Sequence, residues 1–301
     1  MARTLAASSD SRGRTIRNQS AVVRWILRRS ILHLIALIGG GLLMIPFVWA
    51  MMSSLKPVEE IRHLPPTFWP SHFAWSNYPE VLTSTLFTVW VGNTVSIAVL
   101  ATVGTVVTAA MAGFAFARLR FPARNILFML ALSSLMLPQE VTLIPSYLLF
   151  YKIGWLNTYL PLVVPFWLGG SAFFIFLFRQ FFMSIPPDLD DAAKIDGANY
   201  FQILGFIILP LSLPAMATAG IISFIAQWNS FLFPLIILND TDKFTLAIGL
   251  RYFAISPTAD SRPLDHLLLA GSIMMTIPIV LIFFFGQRYF VRGVVMSGIK
   301  G

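Results

Sequence analysis

The chain has 301 residues, of which 57% are hydrophobic and 11% charged, with a formal net charge of +8 and no cysteine. The absence of cysteine excludes disulfides, thiolate metal centres and cysteine nucleophiles. Long apolar runs approach the roughly 20 residues that a helix needs to cross a bilayer, so this is an integral membrane protein, and the positive charge belongs to loop asymmetry rather than to nucleic-acid binding.

Residues 1–30 carry seven arginines (Arg3, Arg12, Arg14, Arg17, Arg24, Arg28, Arg29) against the single acid Asp10, and read as a flexible basic cytoplasmic tail. The apolar core at 31–52 is too long for a cleaved signal peptide and no small-residue cleavage site follows it, so it stays as span one. Residues 53–87 form an external loop rich in proline and aromatics, including Trp69, Trp75 and Tyr78, residues that favour the membrane interface. Segment 31–87 is thus a first helix with its loop, and 88–292 is a core of five further spans.

Span two, 89–117, has Ala101, Thr105, Ala109 and Gly113 at four-residue spacing, which favours close helix packing in lipid. It stops at Arg118-Leu119-Arg120. Span three starts at Ile126 and is broken at Pro138-Gln139-Glu140 and at Pro145. Span four covers 160–178. Span five starts near Ile207 and carries Gln227-Trp228-Asn229 towards its outer end. Residues 239–265 read as a polar external segment, span six as 267–285, and 293–301 as a cytoplasmic tail. Of the 21 Lys and Arg, only Lys56, Arg62, Lys152, Lys243, Arg251 and Arg262 fall on the proposed outer side. That bias favours six transmembrane helices with both termini cytoplasmic.

The candidates for chemistry are few. No G-x-x-x-x-G-K-[ST] loop occurs, so the chain is not expected to bind ATP itself. The histidines His33, His63, His72 and His266 lack metal-ligand spacing, and no Ser/His/Asp or paired-carboxylate arrangement suggests catalysis. We therefore expect no catalytic residue, no metal and no cofactor in this chain. Polar groups at membrane depth are costly and mark either a solute pathway or hydrogen bonds between helices. Asn93, Gln139, Glu140, Gln227 and Asn229 are the candidates, with Trp228 and Phe231 placed to stack on the apolar faces of sugar rings.

Between spans four and five lies a polar, helix-forming island. Pro186 and Pro187 suit a first helical turn, and Asp188, Asp190 and Asp191 lie where the helix dipole favours carboxylates. Ala192, Ala193, Lys194 and Ile195 propagate the helix, Gly197 ends it in the left-handed conformation, and Asn199 caps a second helix running towards 207–210. Leu189, Ala192, Ala193 and Asp196 are expected on one face, with the alanines allowing close approach of a partner. Spacing alone fits equally an ordinary cytoplasmic loop with a short amphipathic helix.

The run Asp191-Ala192-Ala193, then Asp196-Gly197-Ala198 and 207–210, resembles the EAA loop of ABC importer permeases, with Asp in place of the first Glu. Gly113-Phe114-Ala115-Phe116-Ala117-Arg118-Leu119-Arg120-Phe121-Pro122, Lys243-Phe244-Thr245-Leu246-Ala247-Ile248-Gly249-Leu250 and the ending from Gln287 to Gly301 are similar to membrane subunits of carbohydrate ABC importers. The second, smaller subunit of the maltose-type pair is the nearest of these. The resemblance covers about residues 30 to 301. It implies an all-α type I importer permease in the inner (plasma) membrane of a prokaryote, paired with a homologous permease subunit, an ABC ATPase dimer that binds ATP and Mg, and an extracytoplasmic solute-binding protein delivering a sugar. It also implies that loop 186–206 docks on the ATPase, with Asp190, Asp191, Ala192, Ala193, Asp196 and Gly197 as the coupling residues. The alternative is a secondary transporter or channel, which would need ionisable residues deep in several spans; apart from Glu140 the sequence offers none.

Overall fold

The computed structural model describes residues 2–83, 85–169, 171–254 and 264–295. Among them the regular structure is helical: α1 (Ala2–Ser54), α2 (Val58–Ile61), α3 (Asn77–Thr83), α4 (Phe87–Arg118), α5 (Arg124–Ser133), α6 (Gln139–Lys152), α7 (Leu160–Trp167), α8 (Ala172–Ser184), α9 (Asp188–Ile195), α10 (Tyr200–Gln202), α11 (Leu209–Leu211), α12 (Leu213–Trp228), α13 (Leu232–Ile237), α14 (Leu246–Ala254) and α15 (Asp265–Val295). Four segments, Leu27–Ser54, Phe87–Arg118, Leu160–Ser184 and Asp265–Gln287, are long and apolar enough to cross a membrane. Two bent pairs, Arg124–Met136 with Glu140–Lys152 at 104° and Tyr200–Leu211 with Leu213–Trp228 at 81°, raise the number to six if each pair is one span. The bends fall where the sequence places proline: Pro138 before α6, and Pro210 and Pro214 on either side of Ser212.

Helix α4 organises the rest. Its Ala109, Ala110 and Phe114 pack with Phe178 and Phe182 of α8, Ala215 and Ala219 of α12, and Ala193 of α9. Phe87 and Trp90 pack with Trp228, with Leu246 and Phe253 of α14, and with Ala270 of α15. Ile97 joins Phe150 of α6, Leu162 of α7 and Ile237 of α13. One helix therefore threads all three apolar clusters. The small residues expected along it make this possible: a Cβ at Gly113 would lie 2.7 Å from the Phe178 Cβ, so only glycine lets α8 approach there.

Two expectations change. The basic tail at 1–30 is continuous with the first span as α1, in keeping with a segment without proline and rich in helix-forming Ala, Leu and Arg. The supposedly polar segment 239–265 holds α14, which buries Leu246, Ile248, Gly249, Leu250 and Phe253 against α4 and α15. The helix itself, LAIGLRYFA, is mostly apolar, and the polar residues on either side hide that in a reading of the whole segment. Residues 255–263 and 296–301 lie outside the described residues, so most of the expected C-terminal tail is not characterised.

Candidate functional site

The island folds as a helix, turn and helix. Gly197 has φ +84°, the left-handed conformation expected of it. The Ala198 N–H donates to the Ala193 carbonyl (2.9 Å) and the Gly197 N–H to the Lys194 carbonyl (3.0 Å), the paired bonds of a Schellman C-cap. Asn199 then opens α10 with a reciprocal capping box. Its side-chain oxygen accepts from the Gln202 N–H at 3.0 Å, and the Gln202 side chain accepts from the Asn199 N–H at 2.8 Å. A π-helical stretch, Ile203–Ile208, follows and buries Ile203, Leu204 and Ile208 while presenting Phe206 outward.

The two faces of α9 differ from the expected ones. Asp191, Ala192, Asp196 and Gly197 are exposed, whereas Asp190 and Ala193 are buried against the bundle. Asp190 and Ala193 are thus turned away from any docking surface. The physical reason is the entry angle: the chain arrives through Ile185, which is itself buried, so the side of α9 carrying residues 190 and 193 turns inward. Asp190 pairs with Arg118, the last residue of α4, at 3.0 Å between Oδ2 and Nε, and both side chains are about nine-tenths buried. The contact is one of charge rather than of aligned hydrogen bonding, and Asp190 Oδ1 has no hydrogen-bond partner. The Arg118 guanidinium also donates to the Ile185 carbonyl at 2.7 Å. On α8, Arg179 donates to the Phe116 carbonyl at 3.3 Å and stacks 4.3 Å over the Phe128 ring. Sequence reading had counted both arginines as topological charges, and Arg118 also as part of the 113–122 motif, without giving either a partner. The available signal was a cation at the C-terminal turn of a long apolar helix, where the helix dipole favours it.

Outward, Asp191 forms an (i, i+3) pair with Lys194 at 3.0 Å, and that hydrogen bond holds the Lys194 ammonium above its usual pKa. Around this polar helix stand large apolar side chains facing outward: Ile195 is 86% exposed, Phe201 76% and Phe206 80%, with Leu189 and Tyr200 beside them. Apolar exposure of this density along one short loop, from α9 through α10 to the π-helical stretch, marks a contact surface.

A second feature is a cleft of about 650 Å³ between α4, α6, α7, α8 and α12. Glu140, Thr142, Ser146, Gln227, Ser230 and Phe231 are among the residues lining it, and among the described residues no Lys, Arg or His does so. The sequence candidates separate here. Glu140 and Gln227 face the cleft. Asn93 lies outside it: its amide donates to the carbonyls of Asp242 (2.8 Å) and Phe244 (3.0 Å), fastening the segment before α14 to α4. Asn229 also lies outside, its amide bonded to the Ile225 carbonyl at 2.9 Å in its own helix end. The side chain of Gln139 lies outside the described residues. The hydroxyls of Thr142 and Ser146 went unnoticed in the sequence, although they flank Pro145, the break already singled out. Within the described residues no group of His, Asp and Glu could hold a metal ion.

Comparison with known proteins places this arrangement. The chain is 35% identical to the arabinooligosaccharides transport system permease protein AraQ of Halalkalibacterium halodurans, over 95% of this chain and 99% of that one. It is 33% identical to the sn-glycerol-3-phosphate transport system permease protein UgpE of Yersinia pestis, over 88% of this chain and 95% of that protein. Among solved structures it resembles a chain of a bacterial ABC transporter involved in the import of the acidic polysaccharide alginate, with a TM-score of 0.76 at 23% identity over 90% of this chain and 98% of the other. Residues 104–296, well over half of the chain, match the family of binding-protein-dependent transport system inner membrane components, and the chain belongs to that family.

Proposed function

We propose that the chain is the membrane permease subunit of an ATP-driven importer, lining half of a translocation path and taking force through loop 186–206 from ATPase subunits that bind ATP and Mg. The observation that carries this reading is the run of outward apolar side chains in the loop, Ile195 on α9, Phe201 on α10 and Phe206 in the stretch that follows. A short helix presenting apolar and small residues fits a groove on a partner. The family match favours this reading over an ion-coupled secondary transporter or channel. A homologous permease completes the path, an extracytoplasmic binding protein delivers the solute, and the complex resides in the prokaryotic inner membrane with both chain termini in the cytoplasm.

The cleft suggests the solute class. Hydroxyls of Thr142, Ser146 and Ser230, the amide of Gln227 and the carboxylate of Glu140 bond sugar hydroxyls, and Phe231 offers a ring for stacking. A lining with one carboxylate and no cation disfavours phosphate or uronate groups. An uncharged oligosaccharide therefore fits better than glycerol phosphate or alginate. Proteoliposomes holding the complete complex and its binding protein provide the test: vanadate-sensitive uptake of neutral arabinose oligosaccharides or other neutral sugars is expected, with little uptake of sn-glycerol 3-phosphate. Uptake that is indifferent to vanadate would contradict the reading.

A further inference from the structure

Helix α9 holds to the bundle by very little. Of its eight residues only Asp190 and Ala193 are buried, and Ala193 offers a single methyl group. An eight-residue helix has no independent stability in water, so its orientation depends on what grips it. The grip is Arg118, and its placement is informative. Arg118 is the last residue of α4, the helix that threads all three apolar clusters, and the same guanidinium that pairs with Asp190 at 3.0 Å donates to the carbonyl of Ile185, the C-cap of α8, at 2.7 Å. One side chain therefore fastens α4, the end of α8 and α9 together. Arg179 adds a cross-bond from α8 to the Phe116 carbonyl of α4.

Stability alone does not explain such a pair. Two charges taken out of water lose about as much in solvation as they recover from each other, and an apolar pair of similar volume usually serves folding as well. What a charge pair supplies is a defined relative position, because misplacing either member leaves a bare buried charge.

We infer that Arg118 and Asp190 are positioning residues that form a fixed strut, making α9, α4 and the end of α8 one rigid lever, so that displacement of the coupling helix is delivered to span two instead of being absorbed by the Gly197 turn. This rests on the importer reading above. Gly197, with its left-handed φ, is the turn on the C-terminal side of α9, held by backbone bonds within the loop and by no side chain within 4 Å of a Cβ built on it. The strut lies on the opposite, N-terminal side. Force entering α9 therefore moves α4 through the strut, while the Gly197 turn carries the chain on into α10.

The natural absence of cysteine allows a direct test. Nitroxide labels on Asp188→Cys, at the exposed start of α9, and Val99→Cys, on an exposed face of α4, report their separation by pulsed electron resonance in the assembled complex. The complex is compared nucleotide-free and trapped with ADP and vanadate. In the otherwise native chain one narrow distance is expected, the same in both states. Asp190→Asn, which keeps the shape and removes the charge, is expected to add a second distance population of about a tenth or more on trapping, while vanadate trapping itself persists. Should the orphaned guanidinium prevent assembly, the paired replacement R118M with D190L restores a neutral interior and is expected to give the same second population. A native separation that changes between states, or a single unchanged distance in these variants, overturns the strut alone. A native complex that traps no vanadate overturns the importer reading, and the strut with it.

Discussion

At the scale of single residues, three glycines in this chain are required for two different reasons. Gly197 has open space around it, so only its φ of +84° resists a side chain. Gly197→Val is expected to strain the turn by about 1–3 kcal/mol and to uncouple uptake from ATP hydrolysis, seen as a raised ratio of ATP consumed to solute imported in proteoliposomes. Gly249 is the reverse case: a Cβ there would overlap the Trp90 ring. Gly249→Ala must displace that indole and its hydrogen bond to the Thr241 carbonyl (2.7 Å), lowering stability by about 1–3 kcal/mol in thermal unfolding of the detergent-solubilised complex. Gly113 admits α8 by the same close approach. A carboxylate in the segment before α3 gives a pH prediction. Glu60 accepts from the Ser71 N–H (2.9 Å), the Thr67 hydroxyl (2.7 Å) and the Ser71 hydroxyl (2.9 Å), and these bonds, led by the Ser71 amide, lower its pKa from 4.5 to about 2. A lowered carboxylate pKa contributes stability above the unfolded value that is lost as pH falls towards the folded one. Protection of the Ser71 amide against hydrogen exchange is expected to hold at neutral pH and to disappear on acidification from about 4 to 2.

At the scale of elements, what was legible in the sequence was whatever had a local cause. The caps of α9 and α10 follow from Gly197 and Asn199, both read correctly because a C-cap and an N-cap each depend on one residue and its immediate neighbours. The break at Pro138 was equally local; the 81° bend between Tyr200–Leu211 and Leu213–Trp228 was not read, although Pro210 and Pro214 flank it. The inward turn of Asp190 and Ala193 was not legible, because the orientation of a short helix is set by Ile185 and Arg118, the latter 72 positions before Asp190 in the chain. Helix α14 was missed because its short apolar run sits inside a longer polar segment, and what buries it, Trp90 and α15, is distant in the chain. The Asn93 bracket is likewise a long-range contact, seen in the sequence only as a polar residue at depth. Asn93→Leu frees two carbonyls before α14, at a cost of about 1–3 kcal/mol, and is expected to raise hydrogen exchange across residues 240–246 while leaving the exchange of α9 unchanged. Equal protection in both proteins would show that the bracket carries no load.

At the scale of the whole molecule, much of the chain's apolar surface awaits partners. None of the apolar window of Leu27–Ser54 is buried, which suits a helix covered by lipid and by a second permease. The cleft is bounded by α4, α6, α8 and α12 and remains open, as half of a shared path would be. On the proposed reading force enters at one end, around α9, and Arg118 ties that helix to α4 and to the end of α8. The central claim is that the outward apolar cluster of α9 seats on an ATPase. Because the chain has no cysteine of its own, Ile195→Cys provides a single reactive site on that surface. With a short thiol-directed cross-linker in inside-out membranes, Cys at 195 is expected to join covalently to the ATPase subunit, with a yield that changes when ADP and vanadate are added. Labelling of that cysteine by an impermeant reagent from the outer face of intact cells, with no cross-link to the ATPase in the assembled complex, would contradict the claim.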